Sequence, residues 1–102
     1  MAMLDKQHRI MIGQKIFDLL NYNEGEELFL CFIDDTTLEI LNSSQLYDGC
    51  NILSLVKMDN KKRIVIPSEI RNILFITDQT HILLYANKKC SDNFLLRLKI
   101  LN

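Results

Sequence analysis

Five cations fall close together in the second half of the chain: Lys57, Lys61, Lys62, Arg63 and Arg71. Cations gathered on one face neutralise phosphates, and an arginine can bond a guanine edge at two points through its planar fork. His8 and Arg9 occupy a similar setting in the first half, so they join the candidates for contact with double-stranded DNA. Each residue also has a plainer reading. Lysines on a polar turn aid solubility, Arg9 is placed to pair with Asp5 across its own turn, and Arg63 with Asp59 likewise.

Other chemistries find little support. His8 and His81 stand apart from any cysteine or carboxylate spacing that suits a metal. Asp34-Asp35 reads as a tight acidic turn, because Asp side chains accept bonds from nearby turn amides. Cys31, Cys50 and Cys90 form no C-x-x-C pair. Cys31 falls in an apolar run and reads as a small core residue, while Cys50 and Cys90 read as free thiols. With no Gly-rich phosphate loop and no nucleophile beside a base, the expectation is a protein that is not an enzyme and uses no cofactor, metal or small-molecule ligand.

The elements that must position the cations emerge from an internal repeat. Shifting the chain by 54 positions matches Asp5, Arg9, Ile10, Ile12, Ile16, Leu20 and Leu30 to identical residues, and most other apolar positions over residues 4–33 to apolar ones. Each copy reads as β–helix–β–β. Arg63–Ile66 is a β-branched strand. Pro67 then suits the first turn of a helix, with Gly13 in its place in the first copy. Ile70, Ile73 and Leu74 predict one inward helical face, matched by Ile16, Leu19 and Leu20.

Two strands close each unit: Leu28–Ile33 and Leu38–Ile40 in the first, Ile82–Tyr85 and Phe94–Ile100 in the second. The first of these reads as buried on both faces, and Phe94–Ile100 as having one largely wetted face. Lys88–Asp92 reads as a polar loop, Asn42–Gly49 as a connector with one helical turn, and Ile52–Val56 as an extra strand whose first-half counterpart is only Met1–Leu4. The expected organisation is a single domain over 1–102, with repeat one at about 1–41, a linker at about 42–51 and repeat two at about 52–102. A unit of this size is too small to bury a good core alone, which is a physical reason for two.

Hydrophobic residues at 48% and charged residues at 25% are near globular averages. No apolar run is long enough for a membrane span and no signal core follows Met1, so a cytoplasmic protein is expected, at the nucleoid if it binds DNA. The net charge of −1 conceals an asymmetry: residues 1–51 carry −6, whereas residues 52–102 carry +5. Such a division can mark an electrostatic partner surface.

The string Asp59-x-x-x-Arg63-Ile64-Val65-Ile66-Pro67-x-x-Ile70-Arg71 resembles the signature of the AbrB/MazE/MraZ superfamily, and the two tandem copies resemble its MraZ branch. The resemblance implies a mainly β fold with short helices, in which tandem β-α-β-β repeats form one swapped-hairpin, double-split β-barrel. It also implies that the basic turn before the Arg-bearing strand meets DNA. The chain departs from the pattern: His8 and Lys62 stand where a glycine usually precedes the arginine, and Phe17 stands where the second copy has Arg71.

The function expected from these residues is sequence-specific, repressor-like DNA binding by a homo-oligomer. The second repeat makes the contact and the first mainly completes the barrel. Two alternatives come from other classes. An antitoxin-type regulator would carry a long tail for its protein partner, and this sequence ends soon after an apolar strand. An oligomeric interaction module without DNA binding would account for the acidic first half.

Overall fold

The structure, a computed structural model, describes residues 2–90 and 93–101, with the side chain of Cys90 excluded. In chain order the elements are β1 (Arg9–Met11), α1 (Gln14–Leu19), β2 (Glu27–Asp34), β3 (Thr37–Leu41), a 3-10 turn at Ser43–Gln45, β4 (Asn51–Lys57), β5 (Arg63–Val65), α2 (Ser68–Ile73), β6 (Ile82–Cys90) and β7 (Asn93–Ile100). The chain is mainly β with two short helices. Its strands form two sheets, an antiparallel β1–β5 ribbon and a five-stranded sheet in the order β4-β2-β3-β7-β6. The large sheet is open at β4 and β6, so the strands do not form one closed hydrogen-bonded barrel.

The ribbon joins the two halves of the chain. Arg9 pairs with Val65, Ile10 with Ile64 and Met11 with Arg63, so the pairing is centred on two residues that the 54-residue shift matches. The bonds that flank it, Ile12 N–H to Lys62 O and Ile66 N–H to His8 O, are both 2.9 Å and are matched in the same way. β3 and β7 meet across the halves too, with Leu38 opposite Leu98, Glu39 opposite Arg97 and Ile40 opposite Leu96.

Alternation along the strands decides what is buried. Ile10, Ile12, Ile64 and Ile66 face inward with Leu28, Leu30, Leu38, Ile40, Ile82, Leu96 and Leu98 in the main core. Leu4 and Met58 close it beneath the two turns. Removing the side chain of a fully buried member such as Ile64 should cost about 2–5 kcal/mol. Gly13 (φ −65°, ψ 152°) and Pro67 (φ −61°, ψ 155°) hold the same extended conformation as helix N-caps, so glycine replaces proline there without changing the path.

Three expectations need correcting. Leu19 and Ile73 are 51% and 48% exposed, although Leu20, Ile70 and Leu74 are buried. With about 100° per residue, a face centred between i and i+4 leaves i+3 on the flank, and helices this short have no second turn to draw it in. Leu95 was expected on a wetted face but is 3% exposed. It forms a second cluster with Cys31 and Leu41 on the outer side of the large sheet, against Phe29 and the linker residues Leu46 and Cys50. Finally, Lys88 and Lys89 belong to β6, with Lys88 opposite Phe94, so the hairpin is longer than its polar sequence implied. The rest of that predicted loop, Ser91 and Asp92, and the Cys90 thiol lie outside the described residues.

The linker is pinned over the sheet by side-chain bonds. Tyr22 Oη–H shares its one proton between the Ile40 carbonyl and Gln45 Oε1, and Gln45 Nε2 donates to Phe94 O at 3.0 Å. Burial, aided by the negative charges of Glu26 and Glu39, pushes the Tyr22 hydroxyl well above its ordinary pKa. Cys31 is fully buried, and burial raises its thiol to about 11, which makes it an inert packing residue.

Candidate nucleic-acid interface

Each ribbon strand is preceded by a turn built on one carboxylate. In the first, Asp5 Oδ1 accepts the amides of Gln7 and Arg9, both at 2.9 Å, and Oδ2 accepts Arg9 Nε at 2.9 Å. In the second, Asp59 Oδ1 accepts the amides of Lys61 and Arg63 at 2.8 Å, and Oδ2 accepts Arg63 Nε at 2.7 Å. The spacing Asp-x-x-x-Arg is what this closure needs: the carboxylate caps the turn amides and reaches the arginine that starts the strand. The Arg9 amide is the largest influence on Asp5 and holds its carboxyl below the usual value. Desolvation pushes Asp59 upward, but bonds from the Arg63 amide and guanidinium and from the Lys61 amide outweigh it.

The fourth turn residue takes a left-handed conformation in both copies, φ 63° at His8 and φ 60° at Lys62. The turn therefore keeps the shape a glycine would adopt freely, and a side chain is carried there at a conformational cost. At Lys62 that side chain has local uses. Its Nζ is 3.5 Å from Glu24 Oε1 and 5.1 Å from the centre of the Phe17 ring. Phe17 thus supplies a platform for Lys62, in the position that Arg71 occupies in the second copy.

Because the inward residues of the ribbon are Ile10 and Ile64, the alternate positions Arg9, Met11, Arg63 and Val65 share its outer face. Met11 and Val65 are 58% and 45% exposed, and the two arginines are half-buried beside them. Arg9 and Arg63 are diagonal neighbours across the ribbon, with Cα atoms roughly 7–8 Å apart by strand geometry. Their ion pairs engage Nε, which leaves the terminal nitrogens of each fork outside the pair. The structure thus brings Arg9 and Arg63 together in equivalent settings, whereas the sequence reading favoured the second.

The other candidates are divided between the two ends of the ribbon. Lys61 and Lys62 stand at one end, with Lys57 exposed at the end of β4, where it pairs with Glu27. His8 is exposed at the other end, lining a shallow cleft with Leu4, Asp5, Lys6 and Asp78. Arg71 does not join the Lys61–Lys62 turn. Its Nε donates to Ile66 O at 3.0 Å, and the Ile66 amide bonds to His8. Ile66 is about 13 Å along the strand from Lys62, so Arg71 belongs with the turn of the first copy. Lys6, Met11 and Val65 were not singled out from the sequence. Strand alternation and the turn position of Lys6 were the available signals.

Asp34 and Asp35 make a turn, as read: Asp34 Oδ1 accepts Thr36 N–H at 2.9 Å and Thr36 Oγ1–H at 3.0 Å. No group of His, Cys, Asp and Glu among the described residues is arranged to hold a metal. No helix among them is long and apolar enough to cross a membrane. Neither a family model, nor a curated protein, nor a solved structure matches this chain.

Proposed function

We propose that this chain is a sequence-specific, repressor-like DNA-binding regulator that presents the β1–β5 ribbon and its two Asp-x-x-x-Arg turns to a DNA groove. The carrying observation is that Arg9 and Arg63 share one outward face, each held at Nε by the aspartate of its own turn. A major groove admits a two-stranded ribbon, and the two forks are suited to guanine edges or phosphates. Met11 and Val65, exposed between them, suit contact with thymine methyl groups. Lys6, His8, Lys61 and Lys62 flank the ribbon for phosphate contact. In this reading the two repeats make one double-split barrel of the kind the AbrB/MazE/MraZ resemblance implies, and the protein acts at the nucleoid. Both copies contribute equally to the interface, which departs from the expectation that the second makes the contact and the first mainly completes the barrel.

Fluorescence anisotropy with labelled duplex DNA at two salt concentrations tests this. Wild-type binding should weaken steeply with salt, and replacing both Arg9 and Arg63 with Ala should abolish it while circular dichroism stays unchanged. Wild-type affinity and salt slope in that double variant would remove the assigned surface, and a wild type that binds no duplex at either salt concentration would leave the interaction-module reading.

A further inference from the structure

We propose that the open edge of β6 receives β4 from a second copy of this chain, joining copies head to tail through a continued sheet. The observation is a difference between two matched strands. β2 is enclosed on both sides, by β3 and by six register pairs with β4 from Glu27 to Phe32. Among the described residues, β6 has β7 on one side and, on the other, only the bridge between Ala2 and Ile82. That bridge is the 54-residue equivalent of Val56 opposite Leu28, so it marks the start of the same slot. Beyond it the slot is open among the described residues.

The core registers the gap. Leu30, beneath β4, is fully buried, whereas its equivalent Leu84 is half-buried at the open edge. A strand laid there would complete the cover over Leu84 and Ala86, as β4 completes it over Leu30 and Phe32.

A second copy supplies a suitable strand. Among the described residues the far edge of β4 has no neighbour in the sheet, and its outward residues Ile52 and Leu55 are 46% and 48% exposed. A seven-residue apolar edge strand with a single terminal lysine has little protection against pairing. Laid antiparallel to β6, it would bring Asp48, just before β4, to the end of β6 that carries the exposed Lys88. Pairing β4 with β4 would leave the slot beside β6 empty and Leu84 uncovered. The contact is heterologous, so it closes into rings or continues as filaments. It uses the edges of the large sheet rather than the ribbon, and stands apart from the DNA reading.

Light scattering at micromolar concentration on the full chain and two edge-blocked variants tests it. The first variant combines Ile52→Lys with Leu55→Lys on β4, and the second combines Leu83→Lys with Asn87→Lys on β6. All four positions lie on the outward side, and circular dichroism checks the fold. If either double variant loses its signal, Leu55→Lys or Leu83→Lys alone replaces it. Wild type should be a multimer of the 12.0 kDa chain, each variant alone a monomer, and an equal mixture of the two a dimer through the one intact pair of edges. A monomeric wild type, a β6 variant that still self-associates, a β4 variant that does so, or a mixture that stays monomeric would each overturn the proposal.

Discussion

Arg97 places Nη2 at 2.9 Å and Nε at 3.0 Å from Glu39 Oε2, across the β3–β7 pairing that joins the two halves of the chain. Glu39 is 1% exposed, and its other oxygen accepts Tyr47 Oη–H at 3.0 Å from the linker. One buried carboxylate therefore ties together β3, β7 and the linker. Burial, then the bond to Glu39, pushes the Tyr47 hydroxyl up to about 12, so it remains a donor through the physiological range.

Removing one member of such a pair leaves its partner uncompensated. Glu39→Ala should destabilise the fold by about 2–3 kcal/mol, below the full cost for a wholly buried pair because Arg97 keeps a wetted side. Tyr47→Phe should cost about 1 kcal/mol, since only one hydrogen bond is lost. Urea denaturation of the two single variants and the double variant would measure both, and additive losses would show that Tyr47 does not act through Glu39.

The turns predict acid sensitivity. Asp5, Asp34 and Asp59 are all held below the usual aspartate range, each by bonds to its ionised form. A depressed folded pKa contributes stability that is full above the unfolded value and is lost as pH falls through the folded one. Thermal stability should therefore be flat near neutrality and decline once pH drops past about 4. Asp5→Asn with Asp59→Asn should flatten that limb, and an unchanged acid limb would show that these bonds do not govern it.

Much of this architecture was legible because the 54-residue repeat and strand alternation are local signals. Ile10, Ile12, Ile64 and Ile66 could be assigned inward, and the pairing of Arg9 with Asp5 and Arg63 with Asp59 follows from their spacing. Partners distant in sequence were not legible. Nothing near Arg97 signals Glu39, and nothing near Leu95 shows that the linker will cover it. Lys88 and Lys89 read as loop because charges are as suited to an edge strand as to a turn. Arg71 was misplaced for a related reason: antiparallel pairing of β1 with β5 sets each helix beside the turn of the other copy.

Phe75 carries two costs at once. It follows α2 with φ 56°, where a bulky side chain is strained, and it is 85% exposed, so its ring gains little from burial. Phe75→Gly should remove the strain and lose almost no packing, stabilising the chain by about 0.5–1 kcal/mol after the extra entropy of glycine is deducted. A fall in melting temperature would instead show that the ring makes contacts that stabilise the fold.

The two arginines and their aspartates give the sharpest test of the interface. The ribbon pairing makes Arg9 and Arg63 equivalent, so Arg9→Ala and Arg63→Ala should weaken DNA binding to a similar degree and each lower the salt slope by about one. Charge alone predicts that Asp59→Ala, which adds a net positive charge, binds more tightly. The geometry predicts the reverse, because Asp59 caps the amides of Lys61 and Arg63 and holds Arg63 Nε. Without that carboxylate the fork must be ordered on binding, at an entropic cost of about 0.5–1.5 kcal/mol for one long side chain, before the turn itself is counted. Affinity should drop by about threefold to tenfold despite the favourable charge change. Tighter binding by Asp59→Ala, with the fold intact, would mean that the aspartate does not position Arg63 for DNA.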